Sequence, residues 1–180
     1  MASEWDVPMA TSRLTFAPHE AADWPSLHRL ASDPEVMRYI TGGVPFQEEH
    51  TRAFVSRQET HLAKHGFCRW KLLLRATHEY VGFCGAEHKH LDGEWVPEIG
   101  WWLGREHWGK GLASEAAAAA FQHVWEERRV PRLTACAMLE NRASIRVMEK
   151  IGLRFEKEFL EKSLLTGDTI RLVMHSISRA

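Results

Sequence analysis

The sequence predicts a mixed α/β domain whose elements run β-αα-βββ-α-β-α-ββ along the chain. Three observations carry this expectation. Apolar residues recur at helical spacing over 19–40 and 48–64, strand-like runs follow one another between 70 and 103, and the alanine segment Ala116 to Ala120 separates these from a later strand–helix–strand series. Such an order gives a sheet neither purely parallel nor purely antiparallel.

Residues 1–10 are acidic and mixed, without a basic-then-apolar leader pattern, and read as a flexible tail. No repeat, low-complexity tract or linker divides 11–180, which reads as a single domain. Arg13 to Phe16 is a short strand stopped by Pro18. Trp24, Leu27, Leu30, Val36 and Ile40 then mark helix, broken into pieces by Pro25 and Pro34. Glu48 to Lys64 is a second helix, ended by Gly66. Strands Trp70 to Arg75 and Tyr80 to Glu87 flank the turn Thr77-His78-Glu79. Val96 to Leu103 is apolar except at Glu98 and Gly100, the pattern of a strand covered on both faces. Helix Leu112 to Arg128 carries small alanines suited to close approach to a sheet. Strand Leu133 to Met138, helix Asn141 to Ile151, and strands Phe155 to Leu160 and Thr169 to Ile177 complete the order.

Composition removes several classes of function. With 180 residues, 44% hydrophobic and 26% charged, the chain has a globular balance, and its net charge of -1 offers no general attraction to nucleic acid. No apolar run approaches the roughly 20 residues that span a bilayer, so no membrane partner is expected. Cys68, Cys84 and Cys136 fit no paired pattern and read as buried apolar filler in a reducing, cytoplasmic setting. The closest histidines in sequence, His88 and His90, have no carboxylate or cysteine at ligand spacing, and no metal is expected.

The most informative segment is Gly104-Arg105-Glu106-His107-Trp108-Gly109-Lys110-Gly111-Leu112-Ala113, between a buried strand and the alanine helix. A helix N-terminus presents unpaired amides and partial positive charge, a natural seat for phosphate. Gly109 and Gly111 allow the backbone to approach it closely, and Ala113 keeps that approach open. Gly104, Gly109 and Lys110 also fit the start of the nucleotide-binding pattern G-x-x-x-x-G-K-[ST], but Gly111 replaces the hydroxyl that would ligate Mg²⁺, and strand 133–138 ends without an Asp for the metal. A metal-dependent nucleotide hydrolase therefore lacks both metal contacts.

Taken together, Glu98-Ile99-Gly100-Trp101-Trp102-Leu103, Trp108-Gly109-Lys110-Gly111-Leu112-Ala113-Ser114-Glu115-Ala116, Asn141-Arg142-Ala143-Ser144, Glu149-Lys150-Ile151-Gly152-Leu153 and the opening Thr11-Ser12-Arg13-Leu14 resemble the GCN5-related N-acetyltransferases, particularly the RimJ/RimL-like branch that acetylates ribosomal-protein N-termini. The resemblance implies a GNAT-like fold with splayed central strands, 96–103 and 133–138, and acetyl-CoA as co-substrate without a metal. It places the pantetheine arm on backbone around Trp102 and Leu103 and the diphosphate on the amides of Trp108, Gly109, Lys110, Gly111, Leu112 and Ala113. Asn141 would touch the pantetheine. Many family members carry a Tyr proton donor where this chain has Met148, so another group must serve here.

An amine attacks only when neutral, so a base must take its proton. Glu98, alone in an apolar strand, is the candidate, with desolvation expected to raise its pKa, and Glu87 is the reserve. Ser144, one helical turn from Asn141, is the candidate donor to the departing thiolate as well as a cofactor contact. Asn141 also suits a plain helix N-cap. The expected partner is an amine acceptor, a protein N-terminus or a small molecule, near aromatics drawn from Trp24, Tyr39, Phe46, Trp70 and Trp95 and carboxylates Glu48, Glu49 and Glu87. A homodimer is left open. The competing class is a sensor that holds acyl-CoA without turnover, for which Met148 speaks.

Overall fold

Seven strands form one sheet in the order β1-β2-β3-β4-β5-β7-β6 in the computed structural model, which describes residues 10–163 and 165–179. The expected tail thus lies outside the described residues, except for Ala10. β1 (Leu14–Ala17), β2 (Arg69–Leu74), β3 (Tyr80–Leu91) and β4 (Glu94–Leu103) are each antiparallel to the next. β5 (Arg132–Met138) lies antiparallel to β7 (Thr169–Ser178), which pairs with the edge strand β6 (Arg154–Lys162). β4 and β5 run parallel and share one register pair, Glu98 with Thr134. Sequence order and observed order agree.

Helices α1 (Trp24–Ala31), α2 (Pro34–Met37) and α3 (Glu48–His65) precede β2, α4 (Leu112–Phe121) follows β4, and α5 (Arg142–Lys150) follows β5. Prolines begin α1 and α2, where a missing N–H costs nothing, and the Asp33 carboxylate accepts the Glu35 amide to cap α2. Gly66 ends α3 in a left-handed conformation (φ 75°), which L-residues with a Cβ disfavour.

Most boundaries shift by one or two residues, and two larger shifts have a physical reason. β3 runs to Leu91 rather than Glu87, because Asp92 and Gly93 both take positive φ (45° and 84°), forming the tight two-residue turn that closes a long hairpin with β4. The alanine helix leaves α geometry after Phe121 and widens into a π-helical turn over Gln122–Glu127, where the Arg128 amide reaches back five residues to the His123 carbonyl (3.0 Å). That turn buries His123 and Trp125 together; His123 meets the Trp70 ring edge-on at 5.3 Å.

The core has two faces. On one, Leu112, Ala116, Ala117 and Ala120 of α4 pack with Ile99, Leu103, Leu133 and Ala135 of the sheet. On the other, Leu27, Leu30, Phe54 and Val55 of α1 and α3 cover Tyr80 and Phe83. Cys68 and Cys84 are buried free thiols, and Cys136 is half-buried.

Inside the second face lies a buried charge cluster. Arg69 is 5% exposed, with Glu87 3.3 Å away and Glu98 in direct contact with its guanidinium. Arg57 (3.0 Å) and the Gln58 amide (2.7 Å) also reach Glu87, and Gln58 accepts the Arg69 amide (2.8 Å). Burial pushes the Glu87 carboxyl up, but the attraction of Arg69 and then Arg57 outweighs it and holds the pKa at about 2.

Arg69→Met removes the buried cation that joins both carboxylates, leaving Glu87 with Arg57 and Gln58 and Glu98 with Lys89, and we expect urea unfolding to show a loss of about 3 kcal/mol; a loss within experimental error contradicts the cluster's structural role. Because Glu87 titrates lower in the folded chain than its ordinary value of 4.5, its contribution is complete above that value and disappears as pH falls toward 2. Stability measured from pH 6 down to 2 should decline through that window, less steeply in Glu87→Gln than in the parent.

Candidate active site

A parallel strand pair normally exchanges hydrogen bonds along its length, but β4 and β5 part after Glu98 and Thr134, whose hydroxyl also holds the Pro97 carbonyl (2.9 Å). Beyond that point each strand has a backbone edge turned into the gap. Gly82 faces Leu103 in register while the Gly104 amide donates to the Val81 carbonyl (3.0 Å), so Leu103, and by alternation Trp101, turn amide and carbonyl away from β3 and into the gap. Trp102 is therefore corrected: its backbone faces β3, and its ring packs against Phe83 (5.0 Å) and Phe54 (6.1 Å). The same parity on β5, where Leu139 donates to Arg171 beside the Met138–Leu172 pair, turns Cys136 and Met138 toward the gap. The Met138 carbonyl already accepts the Asn141 amide (2.9 Å).

The glycine loop opens at the end of β4. Arg105–His107 make one tight turn, and the Trp108 indole donates to the Leu103 carbonyl (2.8 Å), folding the loop back over the strand. Gly109 and Gly111 both have positive φ (71° and 77°), and α4 starts at Leu112. The first amides of α4, Leu112, Ala113 and Ser114, have no acceptor within the helix. Among the described residues no acceptor meets the amides of Gly109, Lys110 or Gly111 either. A methyl placed on Gly109 would meet nothing within 4 Å, and one on Gly111 would meet only the Arg13 guanidinium at 3.5 Å. Donors converging at a helix N-terminus fit a phosphate ligand.

Arg13, quoted in the sequence only as part of the opening segment, clamps this loop. Its guanidinium donates to the Lys110 carbonyl (2.7 Å) and grips Glu115 (2.6 Å), whose carboxylate also takes the Arg13 amide (2.9 Å). Burial alone would raise the Glu115 pKa, but the hydrogen bonds from Thr11 and Arg13 lower it. The loop is thus held by the segment that leads into β1.

Glu98 is not the lone carboxylate expected. Arg69 touches its Oε2, and the Lys89 ammonium lies 3.6 Å from the same oxygen, while Oε1 has no partner among the described residues. The expectation of an unpaired, desolvated acid is corrected to an ion-paired one, on the residue where β4 last pairs with β5. Glu87, the reserve base, is buried in the Arg69 cluster with its pKa held at about 2 and cannot serve as a base near neutrality. Asn141 caps α5, its Oδ1 accepting the Ser144 amide (3.1 Å). Ser144 is half-buried on the first turn of α5, and Met148, one turn on, is buried in the core. Of the aromatics expected near the acceptor, Phe46 lies against Trp102 (5.6 Å) and Trp24 carries the Arg52 guanidinium at 3.7 Å. Trp70 is core, and Trp95 is exposed on the β3–β4 hairpin, away from both.

A family model described as an acetyltransferase (GNAT) domain matches residues 13–154. The chain belongs to the GNAT acetyltransferase family. Its family chemistry is acyl transfer from acetyl-CoA. The uncharacterized N-acetyltransferase YnaD of Bacillus subtilis is 35% identical over 89% of each chain. A GNAT-family acetyltransferase from Bacillus anthracis shares 33% identity and superposes with a TM-score of 0.76 over 95% of this chain and 97% of that one. A RimL ribosomal L7/L12 alpha-N-protein acetyltransferase solved in complex with coenzyme A has the same fold, with a TM-score of 0.74 and 19% identity over 96% of this chain and 98% of that one. The GNAT assignment removes the metal-dependent nucleotide hydrolase reading.

Gly111→Ala forces an L-residue into the left-handed region at the loop's last turn, and we expect it to destabilise the fold by about 1 kcal/mol in urea unfolding; an unchanged midpoint and slope contradict the conformation assigned to the loop.

Proposed function

We propose that this GNAT acetyltransferase moves acetyl from acetyl-CoA to a primary amine, of a protein N-terminus or of a small molecule, by direct attack. The observation that carries the reading is the parting of β4 and β5, which leaves the backbone of Trp101 and Cys136 and the amide of Leu103 to pair with the amide-bearing pantetheine arm, the Leu103 carbonyl being taken by the Trp108 indole. The unmet amides from Gly109 to Ser114 support a diphosphate seat at the end of that gap. In this reading Asn141 and Ser144 border the arm, and Arg13 fixes the loop through the Lys110 carbonyl. The likeness of fold to a RimL protein acetyltransferase supports a protein N-terminus as one acceptor class. Free thiols go with a cytoplasmic setting.

The amine lone pair forms a bond to the thioester carbonyl carbon, the C–S bond breaks, and sulfur leaves with the electron pair. The Leu103 amide, turned into the gap, is placed to stabilise the developing oxyanion. Glu98 Oε1 takes the amine proton directly or through water, and the Ser144 hydroxyl, renewed from solvent, supplies one to the thiolate. Buried Met148 has no proton to give. No metal enters these steps.

Amine-dependent release of free CoA thiol from acetyl-CoA, across a panel of small amines and peptides, tests the proposal. Binding of acetyl-CoA with no release above background would instead favour the sensor reading. Glu98→Gln should lower turnover mainly below the acceptor's pKa, where the amine must be deprotonated; a pH–rate profile identical to the parent's removes Glu98 as base.

A further inference from the structure

Away from the gap, three imidazoles converge where the end of α3 meets β3. His61 and His65 stand four residues apart and so share a helix face, which meets His88 on the strand. Ring centres lie 4.4 Å (His61–His65), 4.5 Å (His65–His88) and 5.3 Å (His61–His88) apart, and one ring nitrogen from each falls within 4.8 Å of the others. His90, the neighbour that the sequence offered to His88, instead lies exposed beside Trp95.

The hydrogen bonds orient the first of these rings. His61 Nδ1 is 2.7 Å from the Phe67 carbonyl, which can only accept, so Nδ1 carries the proton and Nε2 presents its lone pair. A histidine ligand commonly has its second nitrogen fixed in this way by a carbonyl. Nε2 lies 3.1 Å from His88 Nδ1. Two nitrogens each bound to tetrahedral zinc at about 2.05 Å stand about 3.3 Å apart, so these two nitrogens already have nearly the separation of a ligand pair. The His88 amide also donates to His61 Nε2 (2.9 Å), a bond that the imidazole exchanges for coordination when an ion enters.

We propose that His61, His65 and His88 form a site for a divalent transition-metal ion of the zinc class. Three neutral imidazoles with no carboxylate or thiolate among them suit Zn²⁺, Ni²⁺ or Cu²⁺ and disfavour Mg²⁺ or Ca²⁺, which take oxygen ligands. Burial lowers the basicity of all three rings; on His61 it outweighs the opposing hydrogen bond to Phe67 and the pull of Glu87, with His65 and Arg69 acting in its favour, while Lys64 adds to it on His65, and His65, His61 and Lys64 on His88. The rings therefore stay neutral, with lone pairs available, near pH 7. An ion here fastens the last turn of α3 to β3, one residue from Glu87 of the buried charge cluster. This departs from the sequence expectation of no metal, and it concerns a position separate from the acyl-transfer gap.

The test is calorimetric titration of Zn²⁺ into the untagged, chelator-treated chain, with thermal unfolding as a second readout. The expected result is one ion per chain, affinity reduced roughly 10- to 100-fold in His65→Ala, and no change in His90→Ala. His65→Gln, which keeps a good helix former in the last turn of α3, serves if His65→Ala is misfolded by circular dichroism. Absence of saturable one-to-one binding in the parent, or equal affinity in the parent and a folded His65 variant, overturns the proposal.

Discussion

One guanidinium joins the layers that frame the active site. Arg69, on β2, bridges Glu87 of β3 and Glu98 of β4, while Gln58 of α3 takes its backbone amide and holds Glu87. Removing such a cation from a buried cluster strips each carboxylate of its buried counter-charge and leaves only Arg57 and Gln58 on Glu87 and Lys89 on Glu98, which is far more costly than losing an exposed ion pair. The strand accommodates it at Gly100, where a methyl would come within 3.1 Å of the Arg69 guanidinium. Glu98 is consequently fixed at the residue where β4 last pairs with β5.

From that point the geometry follows from backbone accounting. Each peptide group of a buried strand needs a partner, and β4 and β5 withhold theirs from each other beyond Glu98 and Thr134. The backbone groups of Trp101 and Cys136, the Leu103 amide and the amides of the glycine loop are left as donors and acceptors between α4 and α5, with the Leu103 carbonyl taken by the Trp108 indole. The alanines of α4 let that helix sit close on the sheet, and Arg13 holds the loop from the first strand's approach. A ligand that is itself an extended chain of amides ending in phosphates is the natural complement to such a line.

What was legible in the sequence was local. The glycines at 109 and 111, the alanine run and the proline breaks act through conformations that depend on neighbours along the chain, and the element order followed from them. What was illegible depended on pairing between distant segments. Arg69 lies just outside the strand that the sequence predicts from Trp70, and nothing local marks it as the partner of Glu87 and Glu98; Glu98 reads as unpaired for the same reason. The cofactor-edge expectation for Trp102 fails because strand parity follows from the register with Gly82 and Phe83, which no local pattern reveals. The sequence analysis pairs His88 with His90 by closeness along the chain, whereas the packing of α3 on β3 brings His88 to His61 and His65. Asp92-Gly93 was a readable turn signal that the apolar pattern of the flanking segments overshadowed.

Hydrogen exchange of backbone amides, with and without saturating acetyl-CoA, tests the central claim most directly, because it reads the peptide groups themselves. The account predicts slowed exchange concentrated over 101–103 and 109–114, with β6 unchanged. Exchange rates in those two segments that stay the same while acetyl-CoA is demonstrably bound would contradict it.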